Sequence, residues 1–193
     1  MEIERFCLKF LARSAQVDEA GFIPIFHEWI RLKKLPGTLI DVADYRHVPE
    51  GPGIMLISHE INFAMEHGGG NFGLSAQRKL GDGASHHEAI VNLAKRTALF
   101  GSLLETDARM QGKLHLEGAR FLYHANDRLR APNTEDAFQA IKPDLEAAAA
   151  QLYGHPRISV TRLVNDPRDR LGALVESSDP VSISSLAEGS ATP

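Results

Sequence analysis

The period of the hydrophobic pattern changes along the chain in an order that occurs twice, and that order limits the fold more than any single residue does. Ile3 to Ala12 is rich in apolar, β-branched and aromatic residues and stops at Ser14, as a strand does. From Asp18 the period lengthens. Phe22, Phe26, Trp29 and Ile30 stand three or four apart on one helical face, and Leu35-Pro36-Gly37 ends the run. Pro24 fits only the first turn, because farther in it would remove a hydrogen bond and clash with the turn before it; the helix therefore begins around Gly21 to Ile23. Two strand-like runs follow, Thr38 to Tyr45 and Gly53 to Phe63, around the turn-rich Val48-Pro49-Glu50-Gly51-Pro52-Gly53. Ile54-Met55-Leu56-Ile57 is apolar on both faces and reads as interior strand. Gly68-Gly69-Gly70-Asn71 then turns the chain into a further strand near Phe72 to Arg78.

Beyond the linker Gly81-Asp82-Gly83, Ser85 and Glu88 have the spacing of a capping box, and the stripe Ile90, Leu93, Thr97, Phe100, Leu104 predicts a helix that ends before Gly112. The strand, helix, strand, strand order then returns. It comprises a strand from Leu114 to Ala125, a helix from Asn133 to Tyr153, and strands Arg157 to Val164 and Leu171 to Glu176 joined at Asn165-Asp166-Pro167-Arg168. Asn133 is the expected N-cap, Phe138, Ile141, Leu145, Ala148 and Leu152 the apolar stripe, and Gly154 the stop; Pro143 is expected to kink or divide the helix. The expected fold is α+β, an antiparallel sheet with helices on one face. It would be one domain over residues 1–177, built from two ferredoxin-like β-α-β-β halves (about 1–79 and 113–177) joined by a central helix (about 85–111). The repeat is one of order, not of residue identity. From Ser178 the composition becomes small and polar, so residues 178–193 read as a flexible tail.

A chain of 193 residues, 43% hydrophobic, can bury one sizeable core. Its 21 Lys and Arg against 25 Asp and Glu leave a formal charge of −4 with no basic run, so nucleic acid is not an expected partner. Cys7 is the single cysteine and cannot form an internal disulfide, and MEIERFCLKF lacks the apolar stretch of a secretory signal; a cytoplasmic location is the expectation. No run reaches the roughly 18 to 20 apolar residues of a membrane helix, and no membrane partner is expected.

Few residues carry a chemical signal. His67-Gly68-Gly69-Gly70 matches the oxyanion-loop string of some lipases, but the nearest approach to their Gly-x-Ser-x-Gly elbow, Gly73-Leu74-Ser75-Ala76-Gln77, lacks the second glycine; the string reads as a turn. His59-Glu60 and His27-Glu28 lack a second histidine four positions after the first, so the helical zinc motif is absent; no metal is assigned and no cofactor is implied. On a continuous strand His59 shares a face with Met55, Ile57, Ile61 and Phe63 and points to the core. The competing reading makes His59 and Glu60 the candidate catalytic acid and base. His86 and His87 read as an exposed helix start, and Cys7 as a buried, inert thiol. Asp41, Asp44, Tyr45, Arg46 and His47 form a polar group at a strand end, and Asn126, Asp127, Arg128 and Arg130 occupy a comparable place in the second half. Asp44, Arg46, His47, Asn126, Asp127 and Arg128 are the candidate ligand-binding residues, set against solvated strand ends with local ion pairs.

The segments Asp41-Val42-Ala43-Asp44-Tyr45-Arg46-His47-Val48, Gly51-Pro52-Gly53, His59-Glu60, Asn126-Asp127-Arg128 and Ala131-Pro132-Asn133-Thr134 resemble an uncharacterised family of bacterial proteins, over roughly residues 5 to 177. The resemblance implies a bacterial source and contributes no catalytic residue. Three functions stay open: a non-catalytic or regulatory protein holding a small polar ligand at the two strand ends, an enzyme using His59 and Glu60 with or without a metal, and a scaffold acting through protein contacts. A homodimer through an open sheet edge or the uncovered face is the expected assembly.

Overall fold

Alternation along the first strand, β1 (Phe6–Ala15), sorts its side chains onto two unlike surfaces. Phe6, Leu8 and Phe10 are fully buried beneath helices, whereas Cys7, Lys9 and Leu11 turn to the other face. The structure, a computed structural model, describes residues 3–49, 51–81 and 83–187. Glu50 of the Val48–Gly53 turn, Asp82 of the linker and residues 188–193 of the expected tail lie outside these.

Among the described residues the chain is mixed α/β, with an eight-stranded antiparallel sheet and four α-helices. Helix α1 (Phe22–Leu32) places Pro24 in its first turn, buries Phe22, Ile25, Phe26 and Trp29, and ends at Lys33 in the left-handed region (φ 50°). Strands β2 (Leu39–Asp44), β3 (Ile54–Ser58), β4 (Ile61–Glu66) and β5 (Gly73–Arg78) form a meander that returns to β1. Helix α2 (His86–Thr106) starts with the Glu88 carboxylate accepting the Ser85 N–H at 3.0 Å. It buries Ile90, Leu93, Thr97, Phe100 and Leu104. Then come β6 (Leu114–Ala125), α3 (Glu135–Tyr153), β7 (Ile158–Arg162), β8 (Gly172–Ser177) and α4 (Ile183–Ala187). The sheet order is β2-β3-β4-β5-β1-β6-β8-β7. The helices share one face, where Phe100 meets Phe63, Trp29 and Phe26 at centroid distances of 4.6, 4.9 and 5.3 Å.

Several sequence expectations change. The run from Gly53 to Phe63 is not one strand: the chain reverses between Ser58 and Ile61, where the Ile61 N–H donates to Ser58 Oγ at 3.2 Å. His59 and Glu60 form that turn and are exposed, so His59 does not point into the core. Thr134, not Asn133, caps α3 by accepting the Ala137 N–H at 3.2 Å, which leaves Asn133 buried and bonded to Asn165 and Asp166. Helix α3 also runs through Pro143 undivided.

The segment expected to be a tail is packed as far as residue 187. Ser182 bridges to Glu117 of β6, and Ile183 and Leu186 of α4 are 1% and 5% exposed against α2. Gly101 and Gly118 make room for it. A Cβ on Gly101 would lie 3.2 Å from Ile183, and one on Gly118 would lie 2.6 Å from the Ser182 backbone. Ile183→Ala is therefore expected to lower the unfolding free energy by roughly 2–5 kcal/mol, the range for emptying a buried aliphatic site, as read from chemical denaturation.

Candidate functional site

Antiparallel alternation fixes the ends of the sheet at which the candidate residues sit. Asp44 closes β2 at one end, and Asn126 follows β6 at the opposite end. Five strand spacings, roughly 24 Å, also separate β2 from β6. Asp44, Arg46 and His47 are thus not brought together with Asn126, Asp127 and Arg128. The Arg46 guanidinium is already spent on Asp44, donating from Nε at 3.0 Å and from Nη2 at 2.6 Å. These bonds hold the Asp44 carboxyl down at about 2. At the other end, Asp127 accepts from the Arg130 N–H at 3.1 Å.

His59 and Glu60 border a cavity of about 180 Å³ between the β3–β4 turn and α2, which Arg78, Asn92 and Arg96 also line. Glu60 pairs with Arg96 at 2.7 Å, and Arg96 reaches the Pro36 carbonyl at 3.3 Å. The loop Gly68–Gly70 is fastened from below. Buried Lys9 donates to the Gly68 and Asn71 carbonyls at 2.8 and 2.6 Å and pairs with Glu66 at 3.0 Å, so the loop has a structural cation beneath it.

A constellation that no linear motif announces lies on the helix-free face. Pairing aligns Asn62 with Gln77, Gln77 with Cys7, Cys7 with His124, and His124 with Gly172, a transverse row from β4 to β8. Directly opposed side chains on such a row have Cβ atoms about 5 Å apart. Asn126 donates from Nδ2 to Cys7 Sγ at 2.9 Å and accepts from Arg170 Nη1 at 2.8 Å, and the same Nη1 lies 3.6 Å from the sulfur. Among the described residues Arg170 has no carboxylate partner, and its Nε and Nη2 make no hydrogen bond. The imidazole of His124 lies over Gly172, where a Cβ would come within 3.1 Å of the ring. Asn62 Oδ1 is buried without a hydrogen bond.

The electrostatics follow from that packing. Burial pushes the Cys7 thiol up, against the opposing effects of Arg170 and Asn126. Burial, reinforced by Arg170 and Lys9, pushes His124 down to about 4. At neutral pH the row is therefore uncharged, and the Arg170 guanidinium stands beside it at Cys7 and Asn126. Two donors face a protonated sulfur, an arrangement suited to holding a ligand rather than to nucleophilic attack.

Sequence reasoning placed Asn126 among the ligand residues but missed His124, Gln77 and Asn62, whose alignment depends on strand register, and Arg170, which the loop before β8 carries. It also placed His86 at an exposed helix start. The ring is instead buried, with Nδ1 3.0 Å from Asp144 Oδ2 and Nε2 3.0 Å from the Tyr123 hydroxyl. Burial disfavours the imidazolium, so Nδ1–H donates to the carboxylate and the Tyr123 O–H donates to Nε2. Among the described residues, no three His, Cys, Asp or Glu side chains are grouped to hold a metal, and no helix is long and apolar enough to cross a membrane.

Compared with family models, curated proteins and solved structures, the chain matches none.

The neutral state of His124 has a consequence for stability. An unfolded histidine near 6.5 takes up a proton before the folded one at about 4 does, so the contribution of this ring is complete above pH 6.5 and is lost as the pH falls toward 4. Urea denaturation across that window is expected to show a loss of up to about 3 kcal/mol. His124→Gln is expected to remove most of that slope, leaving the part due to His86.

Proposed function

We propose that the protein is a non-catalytic binding protein for a small carboxylate-bearing molecule, held on the helix-free face of the sheet. The observation that carries this reading is the Arg170 guanidinium. One of its nitrogens is fixed by Asn126, while the Nε–Nη2 edge meets no partner among the described residues. A carboxylate fits that edge with two parallel hydrogen bonds. His124 and Gln77 offer neutral hydrogen-bonding groups alongside, and Asn62 Oδ1 offers an acceptor that lacks a donor. The ligand site thus keeps Asn126 from the sequence reading and dispenses with a cleft shared with Asp44, Arg46 and His47.

We take β6-α3-β7-β8 as one ferredoxin-like β-α-β-β half, supported by the return of β8 to the side of β6. The first half follows the same plan, with β4 and β5 lengthening the path back to β1. The rival reading, an enzyme with His59 and Glu60 as acid and base, has the adjoining cavity in its favour. Calorimetric titration with a panel of small carboxylates, inorganic phosphate included as a control, separates the two. The binding reading expects Arg170→Ala to weaken carboxylate affinity by about 10- to 100-fold, the worth of a charge-assisted pair, and His59→Ala to leave it unchanged. If binding were lost in His59→Ala and retained in Arg170→Ala, the site would belong beside α2 instead.

A further inference from the structure

Any open sheet ends in two edge strands whose outward N–H and C=O groups are met by water or by another strand. The two edges of this sheet are treated differently. At β2, the Tyr45 N–H donates to the Gly53 carbonyl at 2.8 Å, and the alternation of antiparallel bonds then points the Val42 N–H outward. Asp41 Oδ1 accepts that amide at 2.8 Å, and a register shift between Leu39 and Asp41 bends the strand. This edge is guarded.

At β7 the Leu163 N–H donates to the Gly172 carbonyl at 3.0 Å, so Leu163, Thr161 and Ser159 turn their backbone groups toward β8. The N–H and C=O groups of Val160 and Arg162 point outward and have no partner among the described residues. Ile158 gives its N–H to the Pro156 carbonyl at 2.9 Å and keeps its C=O outward. Ser159 and Thr161 are exposed, and Val164, just past the strand, is 93% exposed.

We propose that β7 is the docking edge for a second copy of this chain, paired antiparallel with its own β7 about a twofold axis at Val160. In that register each Val160 exchanges backbone bonds with Val160 of the other copy, and each Arg162 N–H donates to the opposite Ile158 carbonyl. Ser159 lies across from Thr161, and the exposed Val164 lies across from Pro156, which is also exposed. Arg162 meets Ile158 and Arg157 meets Leu163, so no like charges oppose one another. The strand thus complements itself, as an isologous interface requires, and the result is a continuous sheet of two copies.

Light scattering on a size-exclusion column, over a rising concentration series without added ligand, tests this independently of the carboxylate site. The expected particle has twice the 21.2 kDa chain mass. Both Ser159 and Thr161 face solvent in the single chain. The double variant Ser159→Lys, Thr161→Lys sets lysines opposite lysines in the proposed register, and is expected to run as a single chain with unchanged circular dichroism and melting. Val160→Cys is expected to crosslink to itself on mild oxidation, since opposed residues of a hydrogen-bonded pair have Cα atoms about 5.5 Å apart, within disulfide reach. Thr161→Cys, off the axis, is not, and wild type with Cys7 alone is the blank. A single-chain mass at every concentration, or a dimer that survives the double lysine variant, overturns the proposal.

Discussion

The pairing of β1 with β6 is the contact on which the rest of the molecule depends. Its register runs from Phe6 opposite Ala125 to Ala15 opposite Leu114, and through it the β2–β5 meander and the β6–β8–β7 group become one sheet. On the helix side the pairing stacks Phe6 against Tyr123 and sets Phe10 tilted against Phe121, at centroid distances of 5.4 and 5.7 Å. On the other side it sets Cys7 against His124. Core and candidate site are two faces of the same pairing, so a slip of one residue would exchange them and bury the polar row under the helices.

Covering only one face has electrostatic consequences. Helix-side polar groups survive because they are mutually satisfied, as in the Asp144–His86–Tyr123 chain. On the free face, side chains screen one another instead. Lys9 is buried there, with Glu66 and two carbonyls around its ammonium, and His124 is desolvated enough to stay neutral. Arg170 itself is exposed at the rim of this face, with one guanidinium nitrogen turned inward to Asn126 and Cys7.

Legibility followed the length of the pattern. The stripe of α2 extends over many turns, so its period could be read, and every residue named in it is buried. Turns that depend on one side chain were harder. The reversal at Ser58 has no glycine or proline, and Ile54 to Ile57 is apolar on both faces, so only the polar Ser58-His59-Glu60 interruption marked it. The C-terminal segment was poor in large apolar residues, yet Ile183 and Leu186, with Val181 and Ala187 beside them and the Ser182–Glu117 bridge, seat α4 where glycines in α2 and β6 leave space for it.

By itself the sequence determined the long helices and most of the strands, and the core-facing stripes of α1, α2 and α3, because those properties repeat at the period of the local backbone; the turn at His59, the burial of His86 and the seating of α4 were not among them. It also singled out Asn126. The tertiary structure alone decided what Asn126 touches: Cys7 lies 119 positions away and Arg170 lies 44 away. Strand direction likewise decided that Asp44 and Asn126 lie at opposite ends. Element order is a local quantity, whereas end, face and register are set only when distant strands exchange backbone hydrogen bonds.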